Sequence, residues 1–221
     1  MLASQLYATT DVLPVAGLDR LAEHLPNAWI EQALEATGTA SIRRRRLPAE
    51  QVVWLVIALA IYRRQSMPEV LATLDLALSA ASAQAVSKSA VTQARQRLGA
   101  KPLAQLFDQT ARAWCQQDAE YHAWQGLSLW AMDGTTFRTP DSTNNRAHFG
   151  AQAYASGKVA SYPQVRAVSI TAIPTHLVSD IAFGTYAQNG MLYAKTLVGR
   201  IADHSLTVFD RGFLSAEILL G

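Results

Sequence analysis

The chain has few residues that could cross-link it, and no long hydrophobic run. Its single cysteine, Cys115, excludes an intramolecular disulfide and a cysteine-rich zinc site. The longest apolar run, Val52 to Tyr62, has eleven residues, whereas a membrane-spanning helix needs about 20. No basic segment followed by an apolar core opens the sequence, so we expect no secretory signal, no membrane association and a cytoplasmic location. Apolar residues make up 50% of the chain and charged residues 16%, which supports a sizeable core.

The basic residues are concentrated in one part of the chain, although the net charge is only +2. Between residues 41 and 98, nine Lys and Arg residues stand against three acidic residues, a local excess of +6. A clustered excess of this kind favours a polyanionic partner such as DNA. The run of four arginines could contact phosphates or form a solvated surface. The basic residues of this region are Arg43, Arg44, Arg45, Arg46, Arg63, Arg64, Lys88, Arg95 and Arg97.

The hydrophobic period changes near residue 122. The preceding sequence carries helical periodicity, with Gly38 predicted to end one helix and Pro48 to open the next. The run 52–62 predicts a buried core helix. The following sequence holds short apolar runs typical of strands, and a polar stretch, 138–163, that predicts an extended loop. We therefore predict an all-α domain over 1–121 and an α/β domain over 122–221. The predicted strands of the second domain are 127–132, 165–173, 177–183 and 205–209.

Two aspartates in the second domain share one local context. Asp133 and Asp210 each follow a short apolar strand, and a glycine comes within two residues of each. If their strands are parallel neighbours, both carboxylates lie at the same edge of the sheet. Two carboxylates in that position suit Mg²⁺, or Mn²⁺, which takes its remaining ligands from water and phosphate. The alternative is that each aspartate only forms a turn or caps a helix.

A helix predicted over residues 90–98 carries side chains suited to DNA. Amide and guanidinium groups bond base edges or phosphates, and the preceding Lys88 adds a further positive charge. We expect Ser89 to cap this helix, and the short helix and small-residue turn before it are similar to a helix-turn-helix. The alternative is a packing helix with a charged outer face. The candidate DNA-reading side chains are Gln93, Arg95, Gln96 and Arg97.

Several short motifs follow one another in a fixed order. The first half of the chain contains Arg-Arg-Leu-Pro-Ala-Glu (45–50) and Ser-Ala-Val-Thr-Gln-Ala-Arg-Gln-Arg-Leu-Gly (89–99). The second half contains Asp-Gly-Thr-Thr-Phe-Arg (133–138), Tyr-Pro-Gln-Val-Arg (162–166) and Asp-Arg-Gly-Phe (210–213). From about residue 10 onward, this succession resembles the transposases of the insertion sequence 4 family.

The resemblance implies a DNA-binding region followed by a ribonuclease-H-like domain, in which Asp133 and Asp210 match the first two acids of an Asp-Asp-Glu triad. It further implies an enzyme that binds the inverted terminal repeats of double-stranded DNA as a homodimer, at the nucleoid, and uses Mg²⁺ to cut and join strands. Arg211 could contact substrate phosphate or brace the strand end. No residue matches the third acid, and Glu217 lies too close to Asp210 to serve, so we expect an incomplete fragment.

Two other functions remain open at this point. The chain could be a non-catalytic DNA-binding remnant that competes for element ends, or a ribonuclease-H-like nuclease unrelated to transposition. Four further residues have structural interpretations: Asp141 and His176 as turn residues, Asp180 as a solvent-facing strand position, and Cys115 as part of the core.

Overall fold

The computed structural model of the chain describes residues 16–40, 47–77, 87–117, 121–154 and 157–219. The polypeptide divides into two compact units, Met1–Gln109 and Thr110–Gly221. Helices make up the described part of the first unit, and the second contains a mixed four-stranded sheet with helices. This arrangement confirms the predicted order of an all-α region followed by an α/β region.

The helices that begin in the first unit start and end where the sequence supplies the corresponding signals. Pro48 precedes α3 in an extended conformation, and the backbone N–H of Ser66 donates to the Glu69 carboxylate 2.6 Å away at the start of α4. Gly38 ends α2 with a φ of +66°, a conformation that glycine adopts without strain. The helices are α1 Ala16–His24, α2 Asn27–Ala36, α3 Ala49–Ile61, α4 Met67–Ala77, α5 Lys88–Leu98 and α6 Lys101–Gln116.

Helix α3 is the centre of the first unit. It is apolar along almost its whole length and contacts α2, α4 and α5. Val52, Val53, Leu55 and Ala58 are all buried, which confirms the prediction that this apolar run is a core helix. Across the described ranges, none of the helices combines the length and hydrophobicity that crossing a membrane requires.

The sheet of the second unit has the order β3-β2-β1-β4. Strands β1, β2 and β3 form an antiparallel meander, and β4 joins it in parallel beside β1. His176 closes the β2–β3 turn with a φ of +58° and donates its N–H to the Ala172 carbonyl at 2.8 Å, as predicted. The elements are β1 Ser128–Arg138, α7 Thr143–Phe149, β2 Gln164–Ala172, β3 Val178–Thr185, α8 Gly190–Val198, β4 Ser205–Phe209, a 3₁₀ turn Arg211–Phe213 and α9 Ala216–Leu219.

Helix α8 covers one face of this sheet. Trp130 and Met132 of β1 alternate with less buried neighbours and pack with Ile170 of β2 against Ala194 and Leu197 of the helix. The period of two along β1 and β2 thus turns one side of each strand toward α8. Cys115 of α6 is buried in the same cluster, as predicted.

Two local predictions for the second unit are wrong. The stretch 138–163 is not a continuous loop, because it contains α7, which the Ser142 side chain caps by accepting the N–H of Asn145 at 3.2 Å. Asp180 is not a solvent-facing residue, because its side chain is 20% exposed and pairs with Arg200 at 2.6 Å. Asp141, predicted as a turn residue, precedes α7 and makes an ion pair with Arg146.

Candidate active site

The two aspartates lie at the same end of two adjacent parallel strands. The parallel ladder of β1 and β4 ends with Met132 opposite Phe209. Asp133 and Asp210 are the next residues on the two strands, and both line one cleft. The prediction that the two strands are parallel neighbours is confirmed, and no strand separates the two aspartates.

The backbone differs at the two aspartates. β4 ends before Asp210, which lies at the N-terminus of the 3₁₀ turn and accepts the N–H of Phe213 at its carbonyl, 2.9 Å away. β1 does not end at Asp133. It continues to Arg138 in antiparallel pairing with β2, and Asp133 lies opposite Ser169. The prediction that this strand ends at residue 132 is therefore wrong, because β2 supplies hydrogen-bond partners to β1 beyond the end of β4.

Both carboxylates are accessible to a ligand. Asp133 and Asp210 are exposed, and Asp133 accepts the N–H of Gly134 at its Oδ1, 2.7 Å away. The Asp210 side chain does not cap the turn that follows it. Within the described parts of the chain, neither carboxylate forms a salt bridge. Their oxygen atoms are therefore available to coordinate a cation.

The cleft that contains the pair has a volume of about 500 Å³. Its lining combines the second half of β1 and the first half of β2 with the start of helix α8 and the turn after β4. Apart from the two aspartates, the residues that bear on its chemistry are Thr135, Thr136, Gln152, Arg166, Tyr186 and Asn189.

The Phe213 ring holds the turn after Asp210 against β1. A Cβ atom added to Gly134 would lie 3.2 Å from Phe213 Cζ, so the ring packs on the bare backbone of β1. The ring is only 7% exposed, and its Cε1 lies 3.9 Å from the position of a Cβ on Gly190 at the start of α8. The absence of a side chain at Gly134 therefore allows the close approach of the turn that carries Asp210.

Two carboxylates on rigid backbone fit a divalent cation that prefers oxygen ligands, such as Mg²⁺ or Mn²⁺. Among the side chains that the structure describes, no group of three or more His, Cys, Asp or Glu residues is placed to hold a metal ion. The pair would thus leave most coordination positions to water or to a phosphate. The catalytic and metal-binding roles of Asp133 and Asp210 remain predictions.

The other acidic and basic candidates near the pair occupy different positions. Glu217 of α9 forms an ion pair with Lys195 of α8 and does not line the cleft. Arg211 is exposed in the 3₁₀ turn directly after Asp210, and its predicted phosphate contact remains a prediction. Arg166 and Tyr186 also line the cleft, and neither was among the predicted site residues. The available signal was a single charged residue, Arg166, inside an otherwise uncharged predicted strand.

In the first unit, α5 is amphipathic. Val91, Ala94 and Leu98 are buried, and the opposite side of the helix is polar. Its cap is Ser87 rather than Ser89, because the Ser87 Oγ accepts the N–H of Ala90 at 3.2 Å. The prediction of Ser89 as the cap is wrong because the helix begins two residues earlier than expected, at Lys88. The candidate DNA contacts on this helix are all exposed: Lys88, Gln93, Arg95, Gln96 and Arg97.

Two parts of the predicted DNA-binding region lie outside the described residues. They are the run Arg43, Arg44, Arg45 and Arg46, and the small-residue stretch 79–85 that was expected to form the turn before α5. The predicted phosphate contacts of the arginine run and the helix-turn-helix therefore remain predictions.

Comparison with known proteins relates the chain to transposases. Residues 15–108 match the family model "Insertion element 4 transposase N-terminal". The "Putative transposase InsZ" of Escherichia coli (strain K12) is 35% identical over 213 residues, which are 95% of this chain and 69% of that protein. The "Transposase InsG for insertion sequence element IS4" of the same organism is 37% identical over 202 residues, which are 91% of this chain and 45% of that protein. No solved structure matches the chain at a significant level.

Proposed function

The chain belongs to the insertion sequence 4 family of transposases, and from this premise we propose that it acts on double-stranded DNA at transposon ends. Asp133 and Asp210 would hold the Mg²⁺ used in cutting and joining the strands. The observation that carries this proposal is the parallel pairing of β1 and β4, which ends immediately before both aspartates and brings them to one cleft.

We also propose that the second unit has a ribonuclease-H-like fold. The support is its topology: an antiparallel meander of β1, β2 and β3, extended by β4 in parallel beside β1, with the acidic pair at the shared end of the two parallel strands. This arrangement requires a crossover between β3 and β4, which α8 provides.

The residues of the cleft suit phosphodiester chemistry. The chemistry that bound Mg²⁺ supplies is activation of a water or a 3′-hydroxyl and stabilisation of charge on the phosphate. Strand β1 fixes the backbone of Asp133, and the Gly134 N–H orients its Oδ1. Phe213 holds the turn that carries Asp210. Both carboxylates are thereby positioned by packed backbone before any ligand arrives.

Titration with Mn²⁺ tests the proposed metal site on the full chain. Wild type should bind the ion, while Asp133→Asn and Asp210→Asn should each lose most of the affinity, because each removes one of two anionic ligands. Asp203→Asn is the matched control, since Asp203 is also exposed in the second unit but precedes β4. If both site variants bind Mn²⁺ as tightly as the control, the assignment is wrong.

We propose that α5 contacts DNA in the first unit. Its exposed glutamines and arginines can bond base edges, and its arginines can bond phosphates. Because each neutralised phosphate releases counterions, binding should weaken steeply with salt. Replacing Arg95 and Arg97 with alanine should reduce affinity for a duplex carrying the terminal repeat more than replacing Arg44 and Arg45.

A scrambled duplex separates sequence reading from general attraction. If α5 reads bases, the change at Arg95 and Arg97 should cost more affinity on the terminal repeat than on the scrambled duplex. Equal losses for both pairs of arginines, with no preference between the duplexes, would show that α5 does not read the sequence.

A further inference from the structure

We propose that Arg166 binds a backbone phosphate of DNA in the cleft of Asp133 and Asp210, with the Tyr186 ring as the platform that holds its guanidinium. The inference deepens the proposed function and rests on it, because it assigns the anionic ligand of the same cleft. In this proposal Arg166 positions the DNA by binding a phosphate and takes part in no covalent step.

Two neighbours hold the Arg166 side chain at the cleft. Arg166 lies on β2 opposite Thr136 of β1, and its guanidinium carbon is 4.6 Å from the centroid of the Tyr186 ring. Its Cδ lies 3.8 Å from the position of a Cβ on Gly190, at the start of α8. Since the side chain is half-buried and packed on two sides, much of its conformational entropy is already lost before a ligand binds.

The charges of the cleft leave this arginine without an acidic partner. Arg166 lines the same cleft as Asp133 and Asp210, yet it makes no salt bridge within 4.0 Å to any carboxylate among the described residues. A cation and two carboxylates therefore share one cleft without neutralising one another. A divalent ion accompanied by a phosphate would complement both groups at once.

A DNA phosphate matches the chemistry of this cation. Guanidinium groups present a planar set of N–H donors that bind two phosphate oxygens together. The Tyr186 ring fixes the plane of the guanidinium by a cation–π contact. A mobile ammonium group would satisfy charge but not this geometry.

A second arginine provides the control for a purely structural role. Arg138 of β1 stacks over the Tyr162 ring at 4.2 Å, so the same type of pair occurs on the neighbouring strand. Arg138 does not line the cleft. If arginine–tyrosine stacking serves only to fix loops in this unit, replacement of either arginine should have the same effect on DNA binding.

The test measures binding of a fluorescently labelled duplex carrying the terminal repeat over a series of salt concentrations, at constant Mg²⁺. One lost phosphate contact makes the negative slope of log K against log salt less steep by about 0.9. Arg166→Gln should show this reduction on the terminal repeat and on a scrambled duplex alike. Arg138→Gln and Arg166→Lys, which keeps the charge, should retain the wild-type slope. Thermal denaturation checks that each variant is folded.

Equal slopes for Arg166→Gln and Arg138→Gln would overturn the inference. An equal change of slope in Arg166→Gln and Arg166→Lys would overturn it as well. If glutamine prevents folding, Arg166→Met keeps the aliphatic stem beside Gly190 and replaces it in the same comparison. Mn²⁺ titration separates this outcome from failure of the proposed function. If Mn²⁺ binds through the aspartates but the slope is unchanged, only Arg166 is wrong. If the slope becomes less steep in Arg166→Gln but Mn²⁺ binding does not depend on the aspartates, only the metal assignment is wrong.

Discussion

Replacing Phe213 with alanine should loosen the second unit and the acidic pair together. The ring is 7% exposed, and its Cζ lies 3.2 Å from the position of a Cβ on Gly134 in β1. On the other side, its Cε1 lies 3.9 Å from the corresponding position on Gly190 in α8. Phe213 thus joins the turn after Asp210 to a strand and to a helix, and alanine would leave a cavity between them.

The expected cost follows from these contacts. Removal of a buried phenylalanine ring costs about 3–5 kcal/mol. The lower end, about 3 kcal/mol, applies here because the ring borders an open cleft that water can enter. At about 1.4 kcal/mol per tenfold, the equilibrium for opening of the unit should rise by roughly a hundredfold. Affinity for Mn²⁺ should also fall, although no metal ligand is removed.

Hydrogen exchange of the β1 and β2 amides, followed by mass spectrometry, measures this opening in the second unit. Leu214→Ala is the control, because the neighbouring Leu214 is 69% exposed and its loss should leave exchange unchanged. If the Phe213 and Leu214 variants exchange at similar rates, the ring does not join the turn to the sheet, and the proposed positioning of Asp210 is wrong.

Three further changes test the packing and electrostatics of the second unit. Gly134→Ala places its Cβ 3.2 Å from the Phe213 ring, so it should lower the free energy of unfolding by about 1 kcal/mol and weaken Mn²⁺ binding. Thermal denaturation measures the first effect, and an unchanged melting temperature would contradict it. Arg146 holds the pKa of the Asp141 carboxyl below its ordinary value. The stabilisation that this pair gives the fold is therefore present above the ordinary aspartate pKa and is lost as pH falls through the lowered value. In an NMR titration of Arg146→Gln, the pKa of Asp141 should return to its ordinary value. Burial, and then the charge of Asp180, raises the pKa of the Cys115 thiol. Cys115 should therefore react slowly with a thiol reagent in the native protein and quickly in denaturant, and its stabilising contribution should be lost as pH rises above the ordinary thiol pKa.

The predictions that succeeded rest on local signals. Pro48 marks the start of α3, Gly38 the end of α2, and the apolar run 52–62 the centre of the first core. Apolar runs also marked where the four strands lie. These features depend on neighbouring residues, through backbone conformation and hydrophobic periodicity, and can be read without knowing what each segment packs against.

The predictions that failed depend on partners distant in the chain. β1 was expected to end before Asp133, but antiparallel pairing with β2 extends it to Arg138. Asp180 was expected to face solvent, but Arg200 after α8 pairs with it. A strand continues where another strand offers hydrogen bonds, and a charged side chain turns away from solvent where an opposite charge pairs with it. Neither condition is visible in the local sequence.

The family, the order of an all-α region and an α/β region, and the two aspartates that follow apolar strands could all be predicted from the residues alone. The position of β4, parallel to β1 and beside it, follows from the three-dimensional fold and brings Asp133 and Asp210 to one cleft. The fold also placed Arg166 and Tyr186 in that cleft, although neither carried a recognised role in the sequence. The physical reason is that strand order in a sheet is set by long-range hydrogen bonding and by the packing of α8 across the strands, whereas local sequence sets only where each strand lies.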